Sequence, residues 1–206
     1  MYNKISMKLI ILTLLVSSFG ISSGGYENGT SSGKGILQLD FTLNPFNIFE
    51  KGQSYIVCGY GLTNNFDLHG YLSKHSEGYY SYYYGIYFQL IDSKFIDLSS
   101  AVGLREYSNS DAKHIFYPQL LYTIKLKKEF QIGGSFVSVR DYENNYLGTS
   151  FDVFISIPIK INFIKKINKK ISKSHLSLGL FKPALWKPKS LIHPTYSIDI
   201  RTKLIN

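Results

Sequence analysis

From residue 36 onward, apolar and polar residues alternate along most of this chain. The stretch 149–161 is the clearest. Phe151, Val153, Ile155, Ile157, Ile159 and Ile161 share one parity, and Ser150, Asp152, Ser156 and Lys160 share the other. Successive side chains of a strand point to opposite faces, so a period of two predicts a strand with one greasy and one polar face. Ten such segments can be read: 36–46, 53–62, 66–73, 79–90, 95–105, 115–126, 130–140, 149–161, 175–181 and 196–205. The fourth is the tyrosine run YYSYYYGIYFQL, whose even positions are all large and apolar or aromatic. In the sixth, Phe116, Pro118, Leu120, Tyr122, Ile124 and Leu126 form the apolar face. The seventh is apolar on both parities, with Phe130, Ile132 and Phe136 against Val137 and Val139. A bulge at Gly133-Gly134 is expected to reconcile them.

The links between these segments alternate. Short ones around 63–65, 91–94 and 127–129 alternate with the longer polar stretches KHSEG, EYSNSDAKH, DYENNYLG and KPALWKPKSLIHP. Tight turns at one end and longer loops at the other are the habit of an up-and-down barrel in a membrane. The link 162–174 departs from this, being long where a short one is expected.

Periodicity cannot say which face looks inward. A soluble barrel would put the apolar face at its centre, whereas a membrane barrel inverts it. Three features favour inversion. The chain is only 18% charged, below the ~25–35% usual for a soluble surface. Tyrosines cluster at segment ends, as in an interfacial girdle. The segments have the ~9–11 residues that cross a hydrocarbon layer at a tilt. The expected fold is therefore all-β, an antiparallel up-and-down transmembrane β-barrel of about ten strands. Its interior would carry Asp40, Asp67, His69, Asp97, Arg105, Lys125, Asp152, Lys160, Asp199 and Arg201. Its girdle would include Tyr80, Tyr82, Tyr84, Tyr122 and Trp186.

The first residues add an address. Lys4 and Lys8 precede the apolar run Leu9–Val16 and a small-residue region, the pattern of a secretory signal peptide over 1–24. Residues 25–35 read as a flexible leader and 36–206 as the barrel. No later apolar stretch is long enough for a membrane helix, so a membrane form must be a closed barrel. The single cysteine, Cys58, allows no internal disulfide. The formal charge of +9 falls to +7 without Lys4 and Lys8. It falls to +2 without Lys165, Lys166, Lys169, Lys170 and Lys173. The basicity is local, and nucleic acid is not an expected partner. The stretch INFIKKINKKISK is read either as a solvated turn or as a short interfacial helix on anionic headgroups.

With its signal peptide and alternating strands, the chain resembles the small bacterial outer-membrane β-barrel proteins. YGLTNNFDLHGYLS (Tyr60–Ser73) is similar to their tight periplasmic hairpins, as is the Phe opening strands at Phe66, Phe95 and Phe130. The family's final aromatic is missing; the chain ends Leu204-Ile205-Asn206. The resemblance implies the cell outer membrane, lipids and the barrel assembly machinery as partners, an even strand count and both termini in the periplasm.

Candidate chemistry is sparse. Asp40 and Arg201 are expected to approach across the seam between the first and last strands. Asp67 and His69 share a face and could be a fragment of a catalytic triad, but no nucleophilic serine in a convincing context accompanies them. His75, His114 and His193 are read as outer-loop residues without metal spacing. No metal, cofactor or catalytic residue is expected. The function expected is that of a non-enzymatic outer-membrane barrel, serving structure, adhesion or minor solute passage, with its loop ligand unknown. The alternatives are a barrel enzyme acting on lipid or peptide, and a secreted soluble barrel holding a hydrophobic ligand.

Overall fold

A computed structural model describes residues 28–42, 53–75, 78–159, 171–182, 184 and 192–203. The alternation becomes ten antiparallel strands: β1 Ile36–Thr42, β2 Gln53–Gly61, β3 Phe66–His75, β4 Tyr80–Asp92 and β5 Ile96–Tyr107. There follow β6 Ser110–Lys125, β7 Gln131–Asp141, β8 Tyr146–Pro158, β9 Ile171–Lys182 and β10 His193–Lys203. Each strand pairs with its sequence neighbours, and β1 closes the sheet on β10. Closure leaves no sheet edge, so each strand has a ladder partner on both sides. Ile36 and Lys203 stand at one end, here called the near end; Thr42 and Gln53 stand at the far end.

The apolar parity faces out. On β4, Tyr80, Tyr82, Tyr84, Ile86, Phe88 and Leu90 are exposed, while Ser81, Tyr83, Tyr87 and Gln89 between them are buried. Ile56, Leu68, Leu120, Phe136, Ile155, Leu178 and Ile198 continue this apolar belt around the barrel. Asp67 and Asp97 are 0% exposed. A soluble protein rarely shows water a continuous apolar surface of this extent, and a bilayer is the solvent that suits it. At the far end charges join the exterior. Lys74 pairs in register with Tyr80, and Glu106 with Tyr82. Glu106 accepts a hydrogen bond from Tyr84 at 3.2 Å and an ion pair from Lys113 at 2.9 Å.

Four details depart from the sequence reading. The connection over EYSNSDAKH is a turn at 108–109, because β5 and β6 extend far beyond the apolar pattern. As a result His114 lies in β6, and His75 and His193 in β3 and β10, instead of in loops. The β7–β8 connection is likewise only 142–145. No bulge occurs at Gly133-Gly134. The β7 register runs unbroken from Gln131 to Val139 against β8, so Val137 and Val139 are buried in the lumen and Phe136 faces out. The irregularity lies in β6, where the register shifts between Phe116 and Gln119. That shift exchanges the faces. Tyr117 is exposed, and Phe116 turns inward against Tyr83 and Arg105. A two-residue period cannot reveal a slip of this kind, since both residues are aromatic. Finally, β9 starts at Ile171, earlier than its apolar pattern suggests.

Glycines accept rings from the facing strand. Tyr122 lies over its register partner Gly134 outside the barrel, and Phe154 over Gly133 inside. A Cβ at Gly103 would run into the Tyr83 ring. If the belt faces lipid, Ile86→Arg should destabilise the barrel in a bilayer by about 2–4 kcal/mol. Urea unfolding in lipid vesicles measures this; an unchanged midpoint would mean the belt does not lie in hydrocarbon.

Candidate functional site

The lumen holds the polar residues, and it is divided along its length. The near half is filled from within and from the N-terminus. Tyr87, Ala101 and Leu121 form a small apolar cluster across β4, β5 and β6, and Tyr87 is 0% exposed. Residues 28–35 enter this half and are fastened there. The amide of Gly29 donates to Thr123 Oγ1 at 2.9 Å, and Ser99 Oγ donates to the Gly29 carbonyl at 2.6 Å. Thr30 Oγ1 donates to Asp97 Oδ2 at 2.6 Å. The Ser31 amide donates to Gln89 Oε1 at 2.9 Å, and the Ser32 amide to Asp67 Oδ2 at 2.7 Å. Arg201 donates to the Ser31 carbonyl at 3.3 Å, and Tyr87 to that of Asn28 at 3.2 Å. Gly33 and Gly35, at φ of 88° and 73°, then turn the chain into β1. Such positive φ values are free of steric cost only for glycine. Residues 28–35 are thus not a loose leader but a segment fixed in the near mouth.

Two of the lumen carboxylates, Asp67 and Asp97, bind this segment, while Asp152 and Asp199 meet residues of the wall. Asp97 also takes an ion pair from Lys125 at 2.7 Å. Lys125 in turn reaches Asp92 at 3.2 Å and the Ser93 carbonyl at 2.9 Å. At the seam, Gln38 stands opposite Arg201 and Asp40 opposite Asp199. Arg201 lies 3.6 Å from Asp199 on its own strand. Asp40 is buried two positions from Gln38, the register partner of Arg201. Asp152 is buried and accepts from Ser135 Oγ at 3.3 Å. Asp67 and His69 are both buried but serve different partners. Asp67 takes the Ser32 amide, and His69 Nε2 is 3.1 Å from the Tyr83 hydroxyl. Tyr80, Tyr82 and Tyr84 are exposed outside the barrel at the far end, and Tyr122 is half-buried toward the near end. Lys160, Trp186, residues 1–27 and all of the lysine stretch before Ile171 lie outside the described residues.

The far half of the lumen is aromatic and basic. Tyr71 stacks on Tyr83 with centroids 5.1 Å apart, and Tyr55 meets Tyr71 edge-on at 5.2 Å. His75 stacks on Tyr79 at 4.0 Å and lies 3.0 Å from Ser81 Oγ. Gln119 donates to the Tyr83 hydroxyl at 2.7 Å. Arg105 sits among these rings, 4.7 Å from the Phe116 centroid and 5.2 Å from that of Tyr107. His75, Tyr79, Tyr107, His114 and Phe116 of this group are absent from the charges read in the sequence. The available signal was the dense Tyr and His content of 69–87 and 105–117, masked by placing the histidines in loops.

Comparison with known proteins adds the following. No family model matches the chain, and no curated protein matches it. Among solved structures it is similar to one titled KdgM porin, at 7% identity and a TM-score of 0.47, over 81% of this chain and 98% of that one. It is also similar to the crystal structure of Acinetobacter baumannii OccAB4, at 15% identity and a TM-score of 0.30. That match covers 79% of this chain and 56% of the other.

Replacing both Asp67 and Asp97 with Ala removes two charge-assisted anchors of the N-terminal segment. Each such hydrogen bond is worth about 1.5–3 kcal/mol, so tryptic cleavage after Lys34 should accelerate about tenfold or more. Mass spectrometry of timed digests reads this; equal rates would mean the anchors do not hold the segment. By its closed ten-strand ladder, apolar exterior and polar lumen, the chain has the architecture of an antiparallel up-and-down transmembrane β-barrel.

Proposed function

We propose that this protein is a non-enzymatic barrel of the cell outer membrane whose lumen is closed at its near end by residues 28–35. The observation that carries this reading is the inversion of polarity: apolar side chains cover the outside while Asp67, Asp97, Ser99 and Thr123 are shut away from solvent within. Secretion signal and barrel fit one route, export followed by insertion by the barrel assembly machinery into a membrane that accepts barrels. Both termini then face the periplasm, and the far mouth faces outward.

A closed near half argues for a scaffold or binding barrel over an open pore. Side chains with no exposure leave no room for a water beside them, and a conducting path needs a continuous water column. Polar groups in the near half are committed to holding the N-terminal segment, not arranged as nucleophile, base and oxyanion donors. The Asp67–His69 fragment lacks the mutual hydrogen bond that a triad needs.

Fractionation and electrophysiology test the reading. The folded protein should resist carbonate extraction from the outer-membrane fraction and show heat-modifiable gel mobility. In planar bilayers the intact protein should give no resolved conductance steps, whereas deletion of residues 28–35 should produce or enlarge them. A carbonate-soluble protein would overturn the membrane assignment. Ohmic steps from the intact protein would overturn the closed lumen.

A further inference from the structure

The Arg105 guanidinium is one of several lumen groups that their surroundings leave incomplete, and it carries the positive charge of the far mouth. Among the described residues, no carboxylate forms an ion pair with it. Its contacts to the Tyr71 hydroxyl (3.5 Å from NH1) and to His114 Nδ1 (3.4 Å from NH2) are long, and Tyr107 is a further side-chain partner. Its Nε lies buried with no hydrogen-bond partner. The acidic residues nearest in register are engaged elsewhere. Glu106 points outside to Lys113 and Tyr84, and Asp141, the register partner of His114, binds the amide and side chain of Asn145. A guanidinium carries five N–H donors in a rigid fork, and burial without a counter-charge is costly. The rings of Phe116 and Tyr107 offset part of that cost through cation–π contact. They cannot accept the Nε–H hydrogen bond.

The surroundings suit an incoming acceptor. Arg105 stands opposite Tyr83 and Tyr107 opposite Ser81 in the β4–β5 register, the level at which exterior charges begin. Tyr71, Tyr79, Arg105, Tyr107 and His114 are all partly exposed, in contrast to the sealed near half. Their exposure places the cluster in the far mouth. Arg105 NH2 can only donate, so His114 Nδ1 accepts from it, and in the neutral ring the proton is on Nε2. The Tyr107 hydroxyl, 3.0 Å from the same Nδ1, braces the imidazole. The cluster therefore presents a cation and N–H donors in a cup of aromatic walls; the carboxylate beside it, Asp141 opposite His114, is held by Asn145 and makes no ion pair with Arg105.

We propose that the far mouth is a binding site for a small soluble oxyanion — a phosphate, sulfate or carboxylate group — received by the Arg105 fork between Tyr71, Tyr107 and His114. Two oxygens of such a group match the spacing of Nε–H and a terminal N–H, the bidentate arrangement for which arginine is suited. Among the described residues the cluster keeps partial exposure at the far end, so the site does not require the near half to open. It rests on the lumen geometry and not on the membrane assignment.

Titration of the folded, 15N-labelled barrel in detergent micelles with inorganic phosphate tests this, at constant ionic strength against chloride. The Arg105 Nε–Hε resonance should shift saturably, with a midpoint about millimolar for a ligand of so few atoms. Arg105→Met should abolish the accompanying shifts of the His114 ring. Arg105→Lys, which keeps the charge but not the fork, should weaken binding about tenfold. Heat-modifiable mobility checks that each variant folds. If Arg105→Met does not fold, the wild-type titration and Arg105→Lys still decide. A wild-type resonance that does not move, or that moves linearly and equally with chloride, overturns the site, as does unchanged affinity in Arg105→Lys.

Discussion

The structure depends on one constraint: in a medium without water, every backbone N–H and C=O of a spanning segment must find its partner within the protein. Ten strands meet it by closing β1 on β10, so that the ladder has no end. Once the ladder is closed, side chains no longer have to supply backbone partners. They can be divided by parity into one set that dissolves in hydrocarbon and one that packs the bore. The cost of the arrangement is a narrow polar interior in which charges must be matched, because the surrounding dielectric is low.

The two halves of the lumen meet that cost differently. In the near half, the aspartates and Gln89 bind a segment of the chain itself, and the amides and hydroxyls of 28–32 supply the donors. The near mouth is thereby sealed by covalently tethered groups whose local concentration is high. In the far half Arg105 lies among aromatic rings, with Asp141 opposite His114 at the rim. Cation–π contact softens the desolvation of Arg105 without exhausting its donors.

Much of the lumen's polar content could be read from residue parity. Asp40, Asp67, His69, Asp97, Asp152 and Asp199 all stand on buried positions. What parity could not show was which of them meet. Arg201 was expected to approach Asp40 across the seam; register sets Gln38 opposite Arg201 and Asp199 opposite Asp40, and Arg201 lies 3.6 Å from Asp199 on its own strand. Nor could parity show that a short run of Gly, Ser and Thr before the first strand would enter the bore. Such residues read as loose chain because they carry no apolar signal, yet their small size and backbone donors are what a crowded polar mouth accepts.

The amino-acid order by itself determined the strand set and the two-faced character of the wall, because a period of two is a local property that each segment carries alone. The seam register, the face exchange at Phe116 and Tyr117, and the gathering of Tyr71, His75, Arg105, Tyr107 and His114 were decided only by the closed sheet. Those residues come from β3, β5 and β6. Their distances depend on the stagger between strands, which is set by pairing around the whole barrel and has no imprint in any one strand.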